Sequence, residues 1–411
     1  MLDFLLFSFI GALIGIILGL IPGMHINNIL PIVLSLSIFF NPINLAVLIV
    51  SISISQIFIS YIPSIFLGAP EENTALSILP GHKLLLEGKG FEAIILVVFS
   101  GIFSMFLTLF LIFLFSNYFA EFYEISRPYI HYVLIFLIVF MMIHEKNIRI
   151  AALSFFIFSL SGVLGTLVLN STIISTKLVL FPILSGLFGL STLIVSFSQS
   201  SKIPNQEFDQ NVKIFSNSFF KSVFLGSIAG IIVGFLPAIG VSQAAIFMQY
   251  IGKMSEAKNF LMTLSSINVS NEIFSIISLF LIGNPRSGAS VALEKILSYM
   301  DLKDVFILLG SLCFSASISA FLTIKISKVV IKFLIRINYK LLSFLIFAFL
   351  TIMIFILTGF PGLLVAFTST SIGFLCNQLK VKRSYCMGVL LLPSIFFFAN
   401  LNPLIISILR I

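Results

Sequence analysis

Charge is what this sequence has least of. Asp, Glu, Lys and Arg together make up 9% of its 411 residues, against 59% hydrophobic residues and a mean hydropathy of +1.19. A soluble domain of that length is not so apolar, so the chain reads as a multi-pass protein of the cell membrane. Cysteine is scarce too: Cys313, Cys376 and Cys386 fall in or beside apolar runs without CxxC spacing, which supports neither a disulfide framework nor a zinc site. Only four histidines occur, and no HExxH, GxSxG, Walker or paired-cysteine signature is present, so neither an enzyme nor a resident metal or cofactor is expected. The start, Met-Leu-Asp-Phe, lacks the basic n-region of a signal peptide, and its apolar run lasts to Ile21, so a retained first span is expected. Acidic residues number 15 against 23 basic ones; in a membrane protein a net charge of +8 reads as the basic bias of cytoplasmic loops, not as affinity for nucleic acid.

What is present is a duplication. Gly11, Gly15, Gly19 and Pro22 recur as Gly226, Gly230, Gly234 and Pro237, always 215 residues on. The same offset joins Ser51-Ile-Ser-Ile-Ser55-Gln56 to Ser266-Ile-Asn-Val-Ser270-Asn271, and Gly68-Ala-Pro70 to Gly283-Asn-Pro285. One ungapped register over such a stretch indicates an internal repeat. The apolar runs predict seven membrane segments in the first half, roughly 4–21, 25–43, 45–67, 91–115, 128–143, 150–169 and 176–197. A polar linker, 198–216, follows. The second half repeats the series at roughly 219–237, 239–252, 258–282, 304–326, 341–358, 361–379 and 384–400. The organisation read from this is a first membrane repeat over 1–197, a cytoplasmic linker over 198–216 and a second membrane repeat over 217–411. A span needs about 17–25 residues, so 128–143 is short and 239–252 reads as half of an interrupted helix.

Loop charge sets how the copies are related. The loop at 116–126 carries Glu121 and Glu124, whereas its counterpart carries Lys325, Lys328, Lys332, Arg336 and Lys340. Short basic loops stay cytoplasmic, so equivalent loops fall on opposite sides and the repeats are inverted. The expected fold is an all-α polytopic membrane protein of two inverted-topology repeats, about seven segments each, with broken helices or re-entrant hairpins.

Inverted repeats interrupted at matching positions are the architecture of secondary transporters, with substrate and ions held near the midplane at the breaks. Freed amides there attract anions and freed carbonyls attract cations. Pro22-Gly23 is followed by His25, Asn27 and Asn28, and Pro237-Ala238 by Gly240, Ser242 and Gln243. A Pro can also merely kink a continuous span, but its duplication weighs against that. The second matched element sets Glu71-Glu72-Asn73 against Arg286-Ser287-Gly288, after Pro70 and Asn284-Pro285. Glu71 and Arg286 occupy equivalent positions and can pair, or Arg286 can hold a carboxylate while a glutamate takes up H⁺ or Na⁺; ordinary interfacial loop charges are the competing reading. Gly23, His25, Asn27, Asn28, Gly240, Ser242, Gln243, Asn284, Arg286 and Ser287 are the substrate-binding candidates, and Glu71, Glu72, Asn73, Asn271 and Glu272 the ion-coupling ones. Ser53, Gln56 and Ser60 share one helix face, repeated by Asn268, Asn271 and Ser275, and Glu272 lies mid-segment, where an ionisable group is a functional hypothesis by default. The every-fourth glycines are explained by close helix packing.

At Gly19-Leu-Ile-Pro22-Gly23 and Ala69-Pro70-Glu71-Glu72-Asn73-Thr74-Ala75 the chain resembles the large permease subunit of the tripartite tricarboxylate transporter family. Ser161-Gly162-Val-Leu-Gly165-Thr166 and Ser185-Gly186-Leu-Phe-Gly189 are similar to that family's later motifs. The resemblance implies an anion permease served by a binding protein and a small membrane subunit. Glu71 in place of the family's glycine, His25 after the Pro-Gly pair, and Leu79-Pro80-Gly81-His82 where Asp-Gly-Tyr-Pro is usual mark a divergent member, with a stand-alone permease also open. The expected function is secondary transport of a small organic anion such as a carboxylate, coupled to H⁺ or Na⁺ and performed as a homo-oligomer in membrane lipid. A polyprenyl-phosphate or other lipid-headgroup translocase is the main alternative, because a helix-break amide site with Arg286 suits phosphate as well. A non-transporting scaffold is the third.

Overall fold

The computed structural model describes residues 2–22, 24–69, 74–143, 145, 147–175, 178–197, 204–207, 214–235, 240–252, 256–283, 285, 287–297, 300–334 and 339–403. These residues form helices and connections, with no strand among them. The first half contains α1 (Leu2–Leu20), α2 (Ile26–Ser35), α3 (Pro42–Ile59), α4 (Ile78–Leu86), α5 (Gly90–Phe115), α6 (Phe119–Ser126), α7 (Ile130–Ile143), α8 (Ile148–Asn170), α9 (Leu180–Leu184) and α10 (Ser191–Phe197). The second contains α11 (Asn217–Phe235), α12 (Val241–Gly252), α13 (Ala257–Ile282), α14 (Gly288–Leu297), α15 (Leu302–Leu334), α16 (Tyr339–Gln378) and α17 (Gly388–Phe398). Eight helices among the described residues, four per half, are long and apolar enough to cross a membrane. Their outer faces carry exposed Leu6, Phe9 and Ile17 on α1, Phe106, Phe110 and Phe113 on α5, and Phe355, Phe360 and Phe367 on α16. So much exposed apolar surface fits a hydrocarbon solvent, in which a helix satisfies its own backbone groups. The chain is a multi-pass membrane protein.

The seven-segment pattern is modified by the structure. The run at 25–43 divides into the ten-residue α2, a 3₁₀ turn at Leu36–Ile38 and the start of α3, whose Asn41 side chain accepts from Ile43 N–H. The runs at 341–358 and 361–379 remain two helical segments, labelled together as α16, and are separated at Gly359, whose non-helical backbone (φ 66°) comes just before Pro361. Proline there cannot donate to the helix ladder, and glycine takes the left-handed backbone that the bend requires. α15 continues to Leu334, so Ser327, placed by the sequence in a loop, is fully buried within a helix.

Packing reproduces the duplication residue by residue. A methyl group at Gly11 would lie 2.6 Å from Ser51 Cβ and 2.8 Å from Leu48 O, and one at Gly15 would lie 2.4 Å from Ile52 O and 2.8 Å from Ser55 Cβ. In the second half Gly226 meets Ser266 Cβ and Thr263 O, and Gly230 meets Ser270 Cβ and Ile267 O, every partner being 215 residues further on. The glycine stripe lets α1 lie on α3, and α11 on α13, at backbone distance. Gly68 and Gly283, the matched glycines that close the third helix of each half, share a left-handed backbone (φ 64° and 67°).

The halves are interlaced. α5 of the first half packs on α11 and α13 of the second, and α15 of the second packs on α1 and α3 of the first. The exchange recurs towards the end of each half: α8 packs on α17, while α16 packs on the α9–α10 region. Here the correspondence needs gaps. A methyl at Gly165 would meet Val389 O at 1.9 Å and one at Gly373 would meet Leu187 O at 2.3 Å, pairs offset by 208 and 202 residues. Likewise Gly186 meets Ser369 Cβ, and Gly388 meets Ser161 Oγ.

Candidate functional site

The chain leaves α1 at Leu20 and re-enters helix at Ile26. Pro22 cannot donate, and the turn between is closed by Ile21 N–H to Leu18 O (3.1 Å) and Met24 N–H to Ile21 O (3.1 Å). His25 opens α2 as its N-cap, with Nδ1 accepting from Asn27 N–H at 3.2 Å. One side chain closes the remaining gap: Gln56 of α3 accepts from Ile26 N–H through Oε1 (2.9 Å) and donates through Nε2 to Met24 O (2.9 Å). The amide thus supplies the donor and acceptor that the interrupted helix lacks. Such a pairing is required where hydrocarbon offers neither.

One turn before Gln56 on the same face, Ser53 donates to Glu272 Oε1 of α13, and both residues are buried. Directly after Ser60, Tyr61 OH accepts from Asn268 Nδ2 of α13 at 2.8 Å. The third helices of the two halves therefore meet through two buried hydrogen bonds, Ser53–Glu272 and Tyr61–Asn268. A carboxyl group in such a place either stays protonated or needs a cation beside it.

The start of α14 completes the cluster. Its first residue, Gly288, lies so close to Asn27 that a methyl there would sit 1.9 Å from Asn27 Oδ1, an oxygen that is itself buried without a hydrogen-bond partner. Ser287 N–H donates to Ser290 Oγ (2.8 Å), and Ser290 N–H donates to Ser287 Oγ (3.2 Å). Ser287, expected to touch substrate, thus caps its own helix.

The structure accordingly brings His25, Asn27, Gln56, Ser53, Glu272, Gly288 and Ser287 into one region where α1, α2, α3, α13 and α14 converge. Gly23, Glu71, Glu72, Asn73, Asn284 and Arg286 lie outside the described residues, as do Pro237 and Ala238 of the second break and the side chains of Asn28 and Gln243. Gly240 precedes α12 and accepts from Ala244 N–H (3.2 Å); Ser242 is buried in that helix, and Asn271 is half-buried on α13. Ser60 turns to its own helix, donating to Ile57 O. Tyr61 carried no signal in the sequence, because it stands in an apolar run.

Leucine in place of Gln56 keeps the bulk and strands Met24 O and Ile26 N–H. Each stranded group costs about 1–3 kcal/mol. The purified Gln56→Leu protein should melt several degrees lower in detergent, with faster amide exchange at residues 24–26; unchanged melting would show that the amide is dispensable.

A second polar cluster, missed in the sequence, closes the opposite set of helices. Lys382 Nζ pairs with Glu145 Oε1 (2.8 Å) and donates to Tyr250 OH (3.0 Å), while Tyr385 OH donates to Glu145 Oε1 (2.8 Å) and Met141 O (2.9 Å). Burial alone would lower the Lys382 ammonium, but Glu145 and Tyr250 outweigh it and hold Lys382 above its ordinary value. Arg383 is buried against Phe188 O and Ser191 Oγ (3.1 Å each) and Thr192 Oγ1. The sequence offered Lys380-Val-Lys382-Arg383 only as loop charge. An apolar cavity of about 570 Å³ lies between Leu190, Ile194 and the α16 residues Phe347, Ile354, Phe367 and Phe374, away from the interrupted helix.

The model of the Tripartite tricarboxylate transporter TctA family matches residues 5–388. The uncharacterized protein MJ1079 of Methanocaldococcus jannaschii is 32% identical over 402 residues, 96% of this chain and 98% of that relative. No solved structure matches the chain.

Proposed function

Because the chain belongs to the tripartite tricarboxylate transporter TctA family, a family of transporter components matched here across residues 5–388, we propose that it is a secondary active permease for a small organic anion such as a carboxylate. Its expected place is the cytoplasmic membrane. The observation that carries this reading is the gap between α1 and α2 at Leu20–Ile26, packed where the two halves meet, with Gln56 filling it and Glu272 bonded to Ser53, one helix turn before Gln56. Interrupted helices meeting at a repeat interface are where secondary transporters hold substrate and coupling ions.

In this reading the anion rests among His25, Asn27, Asn28, Ser242, Gln243 and Arg286, and a glutamate carries the coupling H⁺ or Na⁺. The halves are inverted copies that alternate access by rocking against one another. Reciprocal packing of α5 on α11 and α13, and of α15 on α1 and α3, supports two equivalent halves. A binding protein and a small membrane subunit, as in the family's tripartite assemblies, are the partners proposed.

Uptake of radiolabelled di- and tricarboxylates into proteoliposomes under imposed H⁺ or Na⁺ gradients tests the function, with headgroup scrambling of fluorescent lipids measured in the same vesicles. Gradient-dependent carboxylate uptake supports the permease; scrambling without uptake would replace it with a lipid translocase. Lysine lacks arginine's planar fork, so Arg286→Lys should raise KM in this assay.

Topology has its own test. Asn117 at the end of α5 and Lys332 near the end of α15 are both exposed. Single cysteines there, in a background without Cys313, Cys376 and Cys386, should react with an impermeant maleimide from opposite sides. Reaction of both from one side would end the inverted arrangement.

A further inference from the structure

The hydroxyl groups on the other face of α3 differ between the halves in a way their sequences do not. At the α5–α13 contact, Ser266 and Ser270 of α13 meet Ser104 and Thr108 of α5 in a closed ladder: Ser104 Oγ donates to Ser266 O (2.8 Å), and Ser270 Oγ lies 2.6 Å from both Ser104 Oγ and Thr108 Oγ1. Ser227 of α11 adds a further bond to Ser104 Oγ at 3.0 Å. The matching junction carries the same residues at the same 215-residue offset, Ser51 and Ser55 on α3 of the first half and Ser319 and Thr323 on α15 of the second. All four are buried to 0% exposure, except that here none of the four oxygens has a hydrogen-bond partner. The counterpart of Ser227 is Ala12, so a hydroxyl is also missing from the wall.

These four lie on helices that meet at one junction. Ser51 and Ser55 lie against Gly11 and Gly15 of α1. Ser315, one turn before Ser319 and two before Thr323, donates to Ser8 O of α1 at 3.2 Å. The α1, α3 and α15 helices pack on one another. A buried hydroxyl without a partner costs free energy, and the α5–α13 contact shows that this residue set can satisfy itself when its helices close. Four unpaired hydroxyl oxygens, each with lone pairs to offer and no carboxylate among them, suit a hard cation of single charge; a divalent ion would require anionic ligands.

We propose that Ser51, Ser55, Ser319 and Thr323 form a Na⁺ site at the α1–α3–α15 junction, distinct from the Ser53–Glu272 pair on the opposite face of α3. Na⁺ draws the four oxygens inward, and each hydroxyl proton turns to a carbonyl of its own helix. Because α15 belongs to the second half and α1 and α3 to the first, the ion ties the halves together. This deepens the coupling step proposed above and rests on that reading for its role in transport, though not for binding itself.

The test uses the full chain in detergent, with ²²Na⁺ binding and melting temperature measured in NaCl, KCl and choline chloride at constant ionic strength. The expected result is a melting temperature that climbs with Na⁺ concentration and not with choline, as linkage requires of an ion bound only by the folded state. Even ligand-supporting residues cost about 10–100-fold in metal affinity, so Ser55→Ala and Thr323→Val should each weaken ²²Na⁺ binding at least about tenfold. Ser270→Ala and Thr108→Val, their counterparts, should lower melting equally in both salts and leave Na⁺ affinity unchanged. Should Thr323→Val fail to fold, Ser319→Ala takes its place. Wild-type melting indifferent to Na⁺, or Na⁺ affinity unaltered in Ser55→Ala and Thr323→Val, overturns the site. Na⁺ binding with no carboxylate uptake would overturn the permease reading while supporting the site.

Discussion

Glu272→Gln should abolish the dependence of uptake on an imposed cation gradient while leaving exchange of bound substrate across the vesicle membrane intact. The carboxyl group is buried on α13 and receives the Ser53 hydroxyl from α3, so it stands where the two halves meet. Glutamine keeps the shape and removes the exchangeable charge. Ser53→Ala leaves the charge and removes one donor; hydrogen bonds to charged groups contribute about 1.5–3 kcal/mol, so the apparent cation affinity should shift by about ten- to a hundredfold with coupling retained. Glu71→Gln and Glu72→Gln, the substitutions the sequence alone recommends first, belong in the same series. Full gradient dependence in Glu272→Gln, with its loss in either of those two, would move the coupling group to the loop after α3.

The largest structural effect is expected from Gly165→Ala. A methyl group there would lie 1.9 Å from Val389 O and 2.7 Å from Val389 C, both backbone atoms with no rotamer to give way. α8 and α17 must then separate, and their contact is one of the exchanged joints between the halves. Overpacking costs about 1–3 kcal/mol where side chains can shift, and more where they cannot. The variant should therefore yield little monodisperse protein by size exclusion and melt far below wild type. Gly310→Ala on α15 is the matched control, since a methyl there meets nothing within 4 Å and alanine is favoured over glycine in a helix by about 1 kcal/mol. Equal behaviour of the two variants would mean that the α8–α17 contact does not limit stability.

Several features were legible in the residues because each has a local cause. Composition fixed the solvent, and the stop of α1 followed from a Pro-Gly pair after an apolar run. The left-handed glycines at 68 and 283 followed from a repeat whose register had no gap. The 215-residue register still holds at Ser104 and Ser319 and at Thr108 and Thr323, but towards the end of each half the correspondences run at offsets of 208 and 202, and a sequence comparison at fixed spacing loses them. The contacts recover them because a glycine pressed on a carbonyl depends on helix position and not on residue number.

By itself, then, the sequence determined that the chain lives in a membrane and that its first helix stops at a Pro-Gly pair, both consequences of hydrophobicity and of backbone groups that proline cannot supply. Only the tertiary structure decided which side chain fills the gap after α1, that Glu272 meets Ser53 across the halves, and that matched hydroxyl sets are closed between α5 and α13 and open between α3 and α15. Residues up to 219 positions apart make those contacts, and their partners are chosen by how interlaced helices pack, which no local pattern along the chain encodes.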